Sequence, residues 1–570
     1  MVNYFPMIKT KLKFLIFAQL LTPIFAASPD PIFSENGMIV STSKQASEAG
    51  VQILKKGGNA IDAAVAIGFA LAVTSPSNGN IGGGGFLVAT FSDGRIITQD
   101  HREKAPSFSH RDMFLSDSGD VINGMSLYSR ASSGVPGTVD GLVRIFRDYG
   151  SGTVSLKQVL APAIKLAEKG FLISNYEAKH LNAYRNFFKK NNEAARIFIK
   201  KNQELWKAND RLMQKDLSKT LKLISKYGRD GFYKGEIAEL IVREMQNGNG
   251  LISLDDLGKY KSIYREPLIG FYKGHQIVSM GPPSSGGVLL VNMLNMLENY
   301  STDSLQWNSS DYVHIITEIQ RRAYADRAEH MGDPDFWDVP IDMLKSKGYA
   351  KKRIHDINMR KATPSKAVYA GNADIYDSPE TTHYSVVDQW GNAVSVTTTI
   401  NLSYGNGCVV EGAGFFLNNE MDDFSAKPGV PNAFGLVGNE ANAISPDKRP
   451  LSSMTPTIVL KNNKPFLIVG SPGGSTIITT TMQTILNVID HKMNIKEAVC
   501  ASRFHSQWLP DVIQIEPRGL AEDVLTNLRS RGHSIIYRGG YIGEANCIMI
   551  TEDGFFGGGD CRGETAAVGY

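Results

Sequence analysis

Apolar residues along this chain change period several times, and each change marks an element. Residues 43–56 have helical spacing and stop at Gly57-Gly58. Asn59 then stands where an N-cap belongs, ahead of a run over 60–74 that is apolar almost all round. A helix with no polar face belongs inside a protein, and this one is too short to cross a membrane. Residues 86–100 alternate as two strands do, and from about 155 to 245 helical spacing dominates. An apolar helix follows 280–287, and Tyr324-Ala325-Asp326-Arg327 falls on a later one.

Over 381–401 two runs rich in Thr, Val and Tyr flank Asp388-Gln389-Trp390-Gly391-Asn392, whose Asp, Gly and Asn favour turns. This predicts a β-hairpin. Pairing symmetric about Trp390 sets Thr381 opposite Thr399, with Asn401 on the same face. Further on, a strand over 465–470 runs into Ser471-Pro472-Gly473-Gly474-Ser475, and a helix opens at about Thr476.

Composition narrows the class. With 42% hydrophobic and 21% charged residues the chain reads as an ordinary soluble protein, and a net charge of +3 argues against a nucleic-acid partner. The lysine-rich stretches at 187–190 and 197–201 read as solvated helix faces. At the N-terminus, Lys9, Lys11 and Lys13 precede a broken apolar run over 14–27, and small residues follow at Ala26-Ala27-Ser28. This pattern suits a signal peptide over 1–26 and an exported, periplasmic or secreted protein, with an uncleaved anchor as the alternative. Cys408, Cys500, Cys547 and Cys561 lack metal-ligand spacing. Cys547 and Cys561 flank a hairpin and could pair across it, free buried thiols being the other reading. No metal and no organic cofactor is expected.

Candidate chemistry concentrates around Thr381. The segment 361–380 lacks periodicity and reads as an exposed connector, which suits cleavage between Glu380 and Thr381. A threonine hydroxyl needs a base beside it, and an α-amino group freed by that cleavage supplies one on the same residue. Gly473 and Gly474, between a strand and a helix N-terminus, would present backbone amides to an oxyanion. Arg102, in Asp100-His101-Arg102-Glu103, carries a fork suited to a carboxylate. Glu420, Asp422 and Asp423 alone read as an acidic turn, and Ser452-Ser453 as turn residues before a strand. Gly82-Gly83-Gly84-Gly85 lacks the Lys-Ser/Thr of a phosphate loop, so close backbone packing is favoured. The Pro/Gly-rich loop over 425–438 is long enough to be functional.

The motifs Thr381-Thr382-His383-Tyr384-Ser385, Asp100-His101-Arg102-Glu103, Leu417–Phe424, Lys448–Pro456 and Ser471–Ser475 stand in the order found in the γ-glutamyltranspeptidases. The chain resembles that family of N-terminal nucleophile (Ntn) hydrolases from about Asp30 to Tyr570, with the lid loop of bacterial members over 425–438. The resemblance implies an α+β fold, a four-layer αββα sandwich, in which a large subunit (27–380) and a small one (381–570) stay interdigitated after self-cleavage. It implies catalysis by Thr381 and Thr399, with Gly473 and Gly474 as the oxyanion hole. It also implies a donor site in which Arg102, Ser452 and Ser453 hold the α-carboxylate and Asn401, Glu420 and Asp423 the α-ammonium. Phe434 stands where several members have a Tyr that bonds to the Asn matching Asn401.

The activity so implied is transfer of a γ-glutamyl group from glutathione or related compounds to water or to an amino-acid or dipeptide acceptor. Related Ntn enzymes that act on glutaryl-β-lactams or poly-γ-glutamate are the alternative, and they should differ at the α-ammonium site. A third reading is an exported binding protein that keeps the fold and never matures.

Overall fold

The computed structural model describes residues 29–302, 305–368 and 381–570. Two seven-stranded sheets form its centre. One runs, edge to edge, Ala566–Gly569, Met38–Ser41, Thr382–Val387, Ala393–Thr399, Gly84–Thr90, Ile96–Asp100 and Ile263–Arg265. The other runs Ile32–Ser34, Phe555–Gly559, Asn546–Ile550, Lys464–Val469, Thr457–Lys461, His275–Ser279 and Leu268–Tyr272.

The hairpin pairs Thr382 with Thr398 through to Val387 with Ala393, the register symmetric about Trp390. Because strand side chains alternate, its two faces separate. Tyr384, Val386, Val394 and Val396 face a helical layer and share a core with the helix Ala60–Thr74. Val387 and Ala393 face the other sheet and pack with Val278, Ile458, Ile468 and Ile548. Ser385 and Ser395 lie on that same inter-sheet side, where their hydroxyls donate to the carbonyls of Asn546 and Val469. The second sheet carries Val459, Leu467 and Val469 on its outer face, packed against the helices Gly286–Leu297, Ser310–His330 and Ile477–Ile489. Helix, sheet, sheet, helix is the expected four-layer α+β order.

Local rules account for the helices that carry this frame. Ser43 caps Lys44–Leu54, and Asn59 with Asp62 forms a capping box on Ala60–Thr74, every residue of which is buried. Such a helix sits between neighbours rather than at a surface. Among the described residues no helix is long and apolar enough to cross a membrane. The N-terminal segment 1–26 and Glu380 lie outside the described residues.

The cysteine pairing across the hairpin is corrected. Cys561 is bonded to Cys500, with their Cα atoms 5.2 Å apart, while Cys547 and Cys408 are buried free thiols. Cys547 stands opposite Gly558, and Cys561 lies beyond the end of its strand and out of register. The helix Ile495–Cys500 packs on that strand and delivers Cys500 instead.

Candidate active site

Thr381 immediately precedes the strand Thr382–Val387, and Thr399 closes the strand Ala393–Thr399. Both continue the inter-sheet series of His383, Ser385, Ser395 and Thr397, so they sit where that space opens. Both are buried. The Asn401 amide donates to Thr399 Oγ1 at 2.8 Å. Asn401 itself has φ +70°, a conformation that Asn tolerates better than most residues, and its Nδ2 donates to the carbonyl of Asn419 at 2.9 Å.

The glycine run lies directly behind this pair. A Cβ on Gly83 would fall 2.0 Å from the carbonyl oxygen of Thr399, so only glycine lets the two backbones approach this closely. Asn418 fastens the same region. Its side chain donates to the carbonyls of Gly82 and Gly134 and accepts from the amides of Gly134 and Glu420.

One cavity of about 290 Å³, its mouth included, is lined by Arg102, Thr381, Thr399, Asn401, Glu420, Asp423, Ser452, Ser453 and Gly474. Nine residues singled out from the sequence therefore converge from six separate stretches of chain. Gly473 lines an adjoining cavity that also reaches Thr381, so the nucleophile candidate stands between the two. Gly473 has φ +133° and Gly474 φ +55°, values that favour glycine, and the helix Ile477–Ile489 begins just beyond them. Tyr324 holds this turn through a hydrogen bond from its hydroxyl to the carbonyl of Ser475.

Charge in the cavity is arranged around Arg102. Its guanidinium pairs with Glu420 and Asp423 and lies 3.4 Å from Glu103. Burial opposes the charge of Arg102, but the three carboxylates more than offset it and push its pKa up. Burial also pushes the Glu420 carboxyl well up, with Arg102 acting against it. Glu420 Oε2 is buried with no hydrogen-bond partner among the described residues, so this oxygen can still accept from a cation.

The serine pair is braced from below. Ser285 donates through its amide and its hydroxyl to the Ser452 carbonyl, and the Ser452 amide donates to the carbonyl of Pro283 at 2.9 Å. The segment 282–285 thus acquires a purpose that its turn-like composition did not reveal. Across the cavity, Phe434 and Leu436 from the loop 425–438 complete the wall. The loop is fastened by Asn432 Nδ2 to Asp423 Oδ1 at 3.2 Å and by Gln507 Nε2 to the Phe434 carbonyl at 3.0 Å.

Arg327, Met454 and Ile477 also line the cavity, and sequence reasoning gave none of them a part in the site. Away from it, His314, Glu318 and His533 bring possible metal-donor atoms within 4.8 Å of one another. Glu318 already accepts from Arg321 and Arg322, and the two imidazoles hydrogen-bond to each other at 2.7 Å. Arginine and imidazole partners thus already occupy most of these donor atoms, and His533 Nδ1 alone of the cluster's ring nitrogens is buried without a partner among the described residues.

Comparison with known proteins gives the family and the fold. The family model for gamma-glutamyltranspeptidase matches residues 46–570. A glutathione hydrolase proenzyme of Escherichia coli strain K12 is 46% identical over 542 residues, covering 95% of this chain and 93% of the relative. The crystal structure of Helicobacter pylori gamma-glutamyltranspeptidase superposes with a TM-score of 0.57 at 43% identity, covering 61% of this chain and 97% of that one. The cephalosporin acylase of Bacillus halodurans shares the fold, with a TM-score of 0.83 at 24% identity over 98% of this chain and 99% of its own. With the family model spanning nearly the whole chain and a relative 46% identical over 95% of it, this chain belongs to the gamma-glutamyltranspeptidase family.

Proposed function

We propose that this chain is the precursor of an exported γ-glutamyltransferase with glutathione hydrolase activity, and that Thr381 carries both its maturation and its catalysis. The observation that supports this best is the convergence of Thr381, Thr399 and Gly474 with Arg102, Glu420 and Asp423 in one buried cavity. A reacting hydroxyl, an amide-bearing turn and a set of charges for an amino-acid head group then lie within one small volume.

In maturation, Thr381 Oγ1 attacks the carbonyl carbon of Glu380 and the acyl group moves from nitrogen to oxygen. Water hydrolyses the ester, leaving the subunits 27–380 and 381–570 and a free α-amine on Thr381. In turnover that amine takes the hydroxyl proton as the oxygen attacks the γ-carbonyl of the donor, and it returns the proton to the leaving amine. Amides at Gly473 and Gly474 receive the oxyanion. Water or an acceptor amine then releases the γ-glutamyl group from the ester. No metal or organic cofactor enters either sequence.

Head-group recognition exchanges one set of ion pairs for another. Arg102 turns from Glu420 and Asp423 to the donor's α-carboxylate, joined by Ser452 and Ser453. The freed carboxylates and Asn401 receive the α-ammonium. Arg102, Glu420 and Asp423 each keep a charged partner in this exchange, which avoids the cost of isolating one of them.

The test is to determine the N-terminal residues of all polypeptides in the purified protein, with Thr381→Ala beside it, and to assay both for γ-glutamyl-amide hydrolysis. A fragment beginning Thr381-Thr382-His383 in the parent alone, together with turnover, is the expected result. An intact, folded and inactive parent would sink the proposal in favour of a binding role. Preference for a glutaryl over a γ-glutamyl amide would favour the related acylases.

A further inference from the structure

Arg327 is the unusual charge of the cavity. It lies on the helix Ser310–His330, is only 5% exposed and lines the same wall as Ser453. Its Nε donates to Ser285 Oγ at 3.0 Å and its Nη2 to Ser453 Oγ at 3.4 Å. Both partners are neutral hydroxyls. Among the described residues no carboxylate forms an ion pair with it, whereas Arg102, which lines the same cavity, has three.

Isolating a guanidinium from water without a counter-ion is costly. Burial accordingly lowers the pKa of Arg327 to about 10, against the opposing influence of Tyr324 and Asp423, and the charge of Arg102 acts in the same direction as burial. An arginine held under such conditions at a cavity wall is matched by an anion that arrives with a ligand.

We infer that Arg327 is a specificity-determining residue for the donor's α-carboxylate, holding the Ser453 hydroxyl toward it and supplying a positive charge that no described carboxylate takes up in an ion pair. This rests on the γ-glutamyl reading above and adds to it. A zwitterionic head group then meets balanced charge, with Glu420 and Asp423 at its ammonium and Arg102 and Arg327 at its carboxylate. Donors lacking that carboxylate leave Arg327 unmatched and are disfavoured for this reason as well as for the loss of Arg102. The same helix bonds the oxyanion turn through Tyr324, one helical turn earlier. Carboxylate recognition and the Gly473–Gly474 turn thus share one rigid support.

The experiment compares two chromogenic donors, a γ-glutamyl anilide and the same anilide with its α-carboxylate converted to a carboxamide, on the matured parent, Arg327→Gln and Arg327→Lys. In Arg327→Gln, KM for the carboxylate donor should rise about 10- to 100-fold, the scale of losing a hydrogen-bonded charge, with kcat changed much less. Arg327→Lys should recover part of that loss. For the carboxamide donor, parent and Arg327→Gln should perform alike. An equal loss on both donors would overturn the inference and make Arg327 a general structural support, and so would an unchanged KM on the carboxylate donor. If Arg327→Gln does not fold, the same donor comparison on Arg327→Lys decides, because lysine keeps the charge but not the fork. A parent that turns over neither donor would defeat the γ-glutamyl reading itself; a parent that prefers the carboxylate donor without help from Arg327 would defeat this inference alone.

Discussion

The backbone amide of Asn401 donates to the hydroxyl oxygen of Thr399 at 2.8 Å. That contact occupies a lone pair and leaves the Thr399 proton to be donated elsewhere. Continuing the hairpin register by one pair sets Thr381 opposite, so the proton has a hydroxyl oxygen to point at. Replacing Thr399 with Val keeps the shape and removes the donor. Chain splitting and subsequent turnover should then both slow by roughly 100-fold, while Thr399→Ser keeps most of each. Gel analysis of maturation against time and assay of the matured fraction check both; parental rates in Thr399→Val would refute the role.

Gly474 and Phe434 are in direct contact. A Cβ on Gly474 would lie 2.4 Å from the Phe434 ring, and the φ of +55° there disfavours any side chain. Gly474→Ala should therefore lower kcat by about 100-fold, by displacing an amide aimed at the oxyanion and pushing the loop 425–438 outward. Adding Phe434→Ala relieves the clash but not the backbone strain, so the double variant should recover only part of the loss. Full recovery would mean that the amide's position matters little.

Much of this site was legible because it depends on local rules. Strand period and turn residues set the hairpin register and hence the facing of Thr381 and Thr399. The close approach of the glycine run to Thr399 also agrees with its reading as a packing element. Arg327 was not legible, because the helix that carries it also buries Glu318, Arg321, Arg322 and Asp326. Charges scattered round a helix look like a solvated surface, and only packing between layers makes them internal. The Cys500–Cys561 bond escaped for a related reason. Its partners are 61 residues apart, and one arrives on a helix that no hairpin argument includes.

That disulfide gives a stability prediction. It closes a loop of about 60 residues within 381–570, and the chain-entropy account assigns such a loop about 4 kcal/mol, with typical measured values of 2–4 kcal/mol. Next to Cys561, Asp560 accepts from Arg503 and Arg562, and Arg562 reaches Glu516. Changing both cysteines to Ser should lower the unfolding free energy by about 2–4 kcal/mol in denaturant titrations. A change below about 0.5 kcal/mol would mean that the surrounding ion pairs hold this corner unaided.

Glu103 should make donor binding pH-dependent. Burial pushes its carboxyl up to about 7, with the charge of Arg102 acting in the opposite direction. Below that value the side chain is protonated and neutral, and Arg102, 3.4 Å away, has one anion fewer to leave when it engages a donor carboxylate. Above it, Glu103 adds a full negative charge beside the same guanidinium and competes with the donor. KM for a γ-glutamyl donor should therefore rise severalfold as pH increases from about 6 to about 8, while the donor's own α-carboxylate stays ionised throughout. Comparison with Glu103→Gln separates this effect from any pH dependence of the Thr381 amine, which both proteins share. Glu103→Gln keeps a neutral side chain at every pH and should flatten the KM profile at its low-pH level. A Glu103→Gln profile that still rises through neutral pH would place the titrating group elsewhere.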